Sequence, residues 1–321
     1  MTSFIIRRVL QMIPILLGTS IIVFLVINMA PGDPFSGMID PHVSQQKIRE
    51  MRHRLCLDCP LPLRYWGWLK EAVQGNLGYS ITDKKPVTDV IKQNIRPTLV
   101  LGITAEIIVF LIGIPMGILS ATRQNTWIDT LTTILVFAGL SVPSFYFGLL
   151  LLRWLSLGGL HLFPSAGWIS PDAPESGPGR WLDIGYHVVL PALALGVTGI
   201  AGLMRYVRSS MLEVMRQDFV RTARAKGLAE KVVIYKHAFR NALIPVITLL
   251  GLDLPVIVGG AVITEHVFSR MGIGQLTFEA VTQRNYPVLM ALNLMFALLT
   301  LVGNLLADVG YAMVDPRIRY D

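Results

Sequence analysis

Charge is scarce in this chain: of 321 residues only 15% are Asp, Glu, Lys or Arg, against 53% hydrophobic ones, and mean hydropathy is +0.56. A soluble globular domain carries about a quarter charged residues, so this composition excludes one and points to an integral membrane protein. Signatures of catalysis are also missing. There is no G-x-x-x-x-G-K-[ST] phosphate loop, so the chain does not hydrolyse ATP by that route, and neither H-E-x-x-H nor G-x-S-x-G supports a membrane protease or hydrolase. No enzyme activity and no cofactor of its own are expected.

What the chain does have is long apolar runs. A helix needs about 20 apolar residues to cross a bilayer core, and six segments qualify, at about 8–30, 98–121, 130–152, 184–204, 241–264 and 287–309. The first opens Phe4-Ile5-Ile6-Arg7-Arg8, like a signal peptide. It is expected to be retained, because its apolar run exceeds a signal core and no small-x-small cleavage site precedes Pro31. The fourth and fifth runs enclose Arg205, Arg208, Arg216, Arg221, Arg224, Lys226, Lys231, Lys236 and Arg240 against only Glu213, Asp218 and Glu230. Short basic loops stay inside, so this loop is expected in the cytoplasm, and six spans bring both termini to the same side. The loop at 31–97 is long enough to cross regardless of its charge. The net charge of +7 is explained by this asymmetry and no RNA-binding or zinc-finger pattern accompanies it. Membrane lipid is an expected partner and nucleic acid is not.

The organisation read from these runs is all-α: a first span at 1–30, a small folded cap outside the membrane at 31–97, and a core of five spans at 98–321 with its basic loop at 209–240. In the cap, Ile48, Met51 and Leu55 recur at helical spacing, and Tyr65, Trp66 and Trp68 suit a membrane interface. Cys56 and Cys59 admit three readings: a local disulfide, a metal site with His42 and His53, or two unpaired thiols. Glu106 in span two, ionisable at membrane depth, is a candidate for lining a path or for a polar contact between helices. Gly113 and Gly117, four apart, suit close helix packing. Pro143, and Asp253 just before Pro255, mark flexing points, with Asp253 either on a path or a local partner for the proline break. The Gly- and Pro-rich loop at 156–183 should lack regular structure, with Trp168 and Trp181 on the membrane surface.

The most informative stretch runs from Asp218 to Pro245, DFVRTARAKGLAEKVVIYKHAFRNALIP. Asp218 can cap a helix beginning at Phe219 and ending at Gly227, and a second short helix should start at Glu230. Ala223, Ala225 and Gly227 leave room for another protein to approach, while Arg221, Arg224 and Lys226 supply charge for an acidic rim. The stretch resembles the EAA loop of the permease subunits of ATP-binding-cassette importers, in the form found in the dipeptide, oligopeptide and nickel permease family. The Glu of the general pattern is absent, since its triplet falls on Arg221, Thr222 and Ala223, and the proline stands at Pro245 rather than at Arg240. Both departures are the habit of that branch. Further landmarks follow in order: Pro31-Gly32-Asp33-Pro34, Gly75-Asn76-Leu77-Gly78-Tyr79-Ser80, Arg96-Pro97-Thr98-Leu99, Thr264-Glu265-His266-Val267-Phe268, Arg284-Asn285-Tyr286-Pro287-Val288 and Asp315-Pro316-Arg317-Ile318-Arg319.

The resemblance implies the type I importer permease fold in a bacterial cytoplasmic membrane. It implies half of a translocation path for di- or oligopeptides, completed by a second homologous permease subunit. Two ATP-binding subunits would hold ATP and Mg, and an extracytoplasmic binding protein would deliver substrate. Asp218, Arg221, Ala223, Arg224, Ala225, Gly227, Glu230 and Arg240 would then form the surface that couples to the ATP-binding subunits. Nickel or another small solute is the alternative substrate. A secondary transporter is the alternative class, but such chains often show internal repeats, none is evident here, and the docking loop would go unexplained.

The orientation gives a direct test. A membrane-impermeant thiol reagent applied to intact cells after mild reduction is expected to label Cys56 and Cys59; labelling only after permeabilisation would reverse the topology.

Overall fold

The computed structural model describes residues 2–29, 58–243, 257–259 and 261–314. Among them the fold is all-helical, and the only pairing of extended backbone is an isolated bridge between Tyr79 and Pro86. Helix α1 spans Thr2–Met29, α2 Leu61–Val73, α3 Val87–Thr122, α4 Trp127–Ser141 and α5 Ser144–Leu151, the last continuing into a π-helical turn at Leu152–Leu157. Helix α6 spans Pro178–Val214, α7 Asp218–Ala225, α8 Glu230–Val232 and α9 Arg240–Ala242, with π-helical Val233–Phe239 between the last two. Helices α10 (Val262–Val267), α11 (Ile273–Thr282) and α12 (Tyr286–Val314) complete the order.

Four of these helices, α1, α3, α6 and α12, are long and apolar enough to cross a membrane, and α4 with α5 makes a fifth if the bent pair is one span. The fifth expected run, 241–264, lies mostly outside the described residues, Asp253 with it. Two expectations are corrected. The second span starts at Val87 rather than near 98, since α3 continues through Pro97. The third is not a straight rod: α4 and α5 meet at 103°. Pro143 has no N–H to donate and drives the residue before it out of the helical region, and Val142 is extended at φ −90, ψ 123.

Close backbone approach organises the bundle. A Cβ on Gly117 of α3 would stand 2.7 Å from Val207 Cβ of α6, and one on Gly113 3.2 Å from the Ile200 carbonyl. From the other side, a Cβ on Gly199 of α6 would stand 2.9 Å from a Val109 methyl. These three glycines let α3 and α6 lie against each other, which is how apolar helices associate where no hydrophobic drive separates them from lipid.

At one end of the bundle, segments far apart in sequence close into a polar scaffold. Asn285, buried, donates from Nδ2 to Ser80 Oγ at 2.8 Å and to Thr82 Oγ1 at 2.9 Å, while its Oδ1 accepts the Ile81 N–H at 3.2 Å. Thr98 donates to the fully buried Glu265 at 3.0 Å and accepts the Ile273 N–H at 2.7 Å, and Glu265 also accepts the Gln275 N–H at 2.9 Å. Gly272 and Gly274 leave the space in which that carboxylate sits; a Cβ on either would come within 3 Å of it. Helix α2 lies on α1, where Tyr65 shares a 2.8 Å hydrogen bond with Ser20 and stacks edge-on against Phe24. At the other end an ion pair of 2.7 Å joins Arg8 of α1 to Asp308 of α12.

Gly117→Leu should therefore act as an overpacked core substitution, costing about 1–3 kcal/mol and lowering the unfolding midpoint of the purified chain. Gly67→Leu in α2, where a Cβ meets nothing within 4 Å, should leave it unchanged.

Candidate coupling surface and the cavity between α3 and α6

The basic loop folds as a short helical hairpin. Helix α7 begins at Asp218, one residue earlier than expected, with Gln217 extended at the N-cap and no side-chain cap bond. Asp218 is therefore not the cap. It stands in the first turn, where a carboxylate still favours the helix dipole, 3.6 Å from Arg221 in solvent. The helix ends as anticipated: Gly227 takes φ 75, its N–H donates to the Arg224 carbonyl at 2.9 Å, and the Leu228 N–H donates to the Ala223 carbonyl at 3.4 Å. That is a Schellman motif, whose left-handed residue favours glycine.

The second limb starts at Glu230, as expected. Glu230 receives Arg224 on both oxygens, with Nη2 at 2.7 Å and Nε at 3.2 Å, so an ion pair braces the two limbs across the turn. Arg224 holds the Glu230 carboxyl below the usual carboxylate range, and Glu230 raises Arg224 in return.

The inner face of the hairpin belongs to the chain's own core. Ala223, 5% exposed, packs with Val220, Val233, Ala238 and Ala242 against Ile118 and Ala121 of α3 and Val207 and Met211 of α6. This corrects the expectation that Ala223 leaves room for another protein to approach. The outer face carries Phe219, Ala225, Leu228, Val232 and Tyr235, all exposed, among the exposed cations Arg221, Lys226, Lys231, Lys236 and Arg240.

Next to this root lies an ionic clamp, buried on its carboxylate side and half-buried at its arginine. Arg208 of α6 donates from Nε to Asp129 Oδ1 at 2.9 Å and from Nη2 to Oδ2 at 3.0 Å. Ser120 of α3 donates to the same carboxylate at 2.6 Å, as does the Asn125 N–H at 3.1 Å. Three helices are fastened at one carboxylate. Sequence reasoning used Arg208 only for orientation and passed over Asp129, although an ionisable residue at the start of an apolar run was the signal available.

Glu106, half-buried, lines a cavity of about 470 Å³ between α3 and α6, with Gly102, Ala105, Gly196, Gly199 and Tyr206 on its walls. Cys56 lies outside the described residues, so its pairing with Cys59 stays an expectation.

Comparison with known proteins bears on what such a chain is. Residues 113–320 match the family described as the binding-protein-dependent transport system inner membrane component, and residues 1–102 match the N-terminal family of the same systems. The chain belongs to this family of transport components. It is 44% identical over 321 residues to the oligopeptide transport system permease protein AppB of Bacillus subtilis strain 168, and 38% identical over 320 residues to the glutathione transport system permease protein GsiC of Escherichia coli K12. Both alignments span 100% of either chain. As an inner-membrane component of a binding-protein-dependent system, the permease works with a binding protein and an ATPase.

Breaking the clamp tests its weight. Arg208→Ala and Asp129→Ala should each destabilise the permease by about 3 kcal/mol, because each leaves a partly buried charge uncompensated. The double variant should cost less than the sum, as a double-mutant cycle on thermal unfolding would show.

Proposed function

We propose that this chain is the permease subunit of an ATP-driven importer of di- or oligopeptides, docking through the hairpin at 218–240 onto an ATP-binding subunit. The observation that carries the reading is the division of the hairpin into two faces. One is rooted in α3 and α6, the other leaves apolar side chains exposed inside a basic rim. An exposed apolar patch with a charged border is the form of a protein contact. Because Val220, Ala223 and Val233 are packed under α3 and α6, displacement of the hairpin moves the helices that line the cavity.

The remaining parts follow. Arg8 and Asp308 set the start of α1 and the end of α12 at the same end of the bundle, which supports an even number of crossings and so a sixth span through 241–264. With the basic loop inside, both termini are cytoplasmic and the scaffold around Asn285 and Glu265 lies outside, where a binding protein arrives. The domains are then span one at 1–30, the cap at 31–97 and the permease core at 98–321. A second, homologous permease subunit completes the path, two ATP-binding subunits hold ATP and Mg, and Glu106 faces the substrate route. Peptide is favoured over nickel because the relatives above are named for oligopeptide and glutathione transport.

Ala225→Glu and Gly227→Val separate docking from folding. Ala225 is exposed, so its change should alter stability by less than about 0.5 kcal/mol yet place a carboxylate on the outer face. Valine at the left-handed Gly227 costs about 1–2 kcal/mol locally. Both variants should insert normally, while recovery of the ATP-binding subunits with the permease falls about tenfold and peptide-stimulated ATPase falls with it. Normal assembly and uptake in both would exclude docking through this hairpin.

A further inference from the structure

The fold treats Arg208 and Arg270 very differently. Arg208 has its carboxylate. Arg270, just beyond α10, is 2% exposed and has no carboxylate partner among the described residues. Its Nη2 donates to the His187 carbonyl of α6, and the indole of Trp168 covers the face of the guanidinium with 4.2 Å from its carbon to the ring centroid. Its Nε and Nη1, and the indole Nε1 of Trp168, are buried with no acceptor among the described residues. Burial alone pulls the Arg270 pKa down to about 10, so the group remains a cation at neutral pH.

The nearby carboxylates are committed elsewhere. Glu265 holds Thr98 and the Gln275 N–H, and Asp183 accepts both the N–H and the hydroxyl of Ser170. A buried cation served by one carbonyl and one ring face is short of compensation, since a cation–π contact is weaker than an ion pair in the same surroundings. This also corrects the expectation that Trp168 lies on the membrane surface. Of the two, Trp181 is exposed, while Trp168 packs over Leu101, Ala105, Val188 and Ala192 of α3 and α6.

We propose that Arg270 and Trp168 form an internal site for one monovalent anion, a carboxylate or a halide. One positive charge and three nitrogens whose N–H groups are unclaimed suit a single negative charge. No second cation is present among the described groups around Arg270 to hold a dianion such as sulfate or hydrogen phosphate. The ring covers the guanidinium face, so the anion lies at its edge, where N–H donors point. Ala105 belongs both to the cluster under Trp168 and to the wall of the cavity at Glu106. The carboxylate therefore has two sources, a free anion from solution or the C-terminus of a peptide in transit; only the second rests on the peptide reading above.

The test uses the complete transporter in lipid nanodiscs and follows its thermal unfolding. Chloride or acetate replaces the bulky sulfonate isethionate at constant ionic strength, and dialanine is compared with dialanine amide. Wild type should show a saturable rise of about 2–4 °C, absent with sulfate. Arg270→Gln should abolish it. Trp168→Phe keeps the ring face but loses the donor, and should need several-fold more anion for half the effect. A response to chloride and acetate identifies a free anion; a response to dialanine but not its amide, nor to chloride or acetate, identifies the peptide carboxylate. Failure of dialanine to stimulate ATPase would count against the peptide reading and leave a chloride response standing. No anion effect on wild type, or an equal effect in Arg270→Gln, overturns the site. Should Arg270→Gln fail to assemble, an unshifted half-effect in Trp168→Phe overturns it as well.

Discussion

The approach of α3 to α6 is the contact on which the remainder of this structure rests. In a bilayer the lipid is as apolar as a leucine side chain, so helices gain little by hiding apolar surface from it and much by matching backbone to backbone. Gly113 and Gly117 on one helix and Gly196 and Gly199 on the other make that match possible. Where the two helices stay together they form a wall. Between Gly102 and Tyr206 the same small side chains leave room for the cavity that contains Glu106.

Both ends of this pair are used. At one end the hairpin at 218–240 inserts Val220, Ala223 and Val233 between the helix ends, and the carboxylate of Asp129 gathers α3, α4 and α6 beside it. A loop anchored in this way transmits displacement, because a packed core moves as a unit rather than deforming. At the other end Asn285 and Glu265 tie loops that are far apart in sequence to the beginnings of α3 and α12. Four of the family landmarks noted in the sequence meet in these contacts: Ser80 pairs with Asn285, and Thr98 with Glu265.

The ionisable groups divide by what surrounds them. Glu230 and Arg224 brace each other in solvent, where the pair sets geometry more than stability. Asp129 and Arg208 satisfy each other almost completely in a tight site. Arg270 holds its charge in the interior with a carbonyl and an indole for company among the described residues, and the contrast with Arg208 makes its surroundings meaningful.

Much of this was legible without coordinates. Long apolar runs determine helices in a bilayer, because every backbone group has to be bonded within its own segment; the end of α7 at Gly227 and the start of the second limb at Glu230 followed from the local chemistry of the chain. Faces and partners were not legible. Ala223 and Ala225 are two residues apart in an alanine-rich helix, and only the position of α3 and α6 decides that the first is core and the second surface. The bend at Pro143 was marked by the proline, but its 103° angle is seen only in the fold. Trp168 looked like an interfacial residue until the fold brought it over Arg270, about a hundred residues away in sequence. Periodicity and turn chemistry are local and can be read along the chain. Burial, ion pairing and the company a cation keeps depend on contacts between distant segments, and only the tertiary structure decides them.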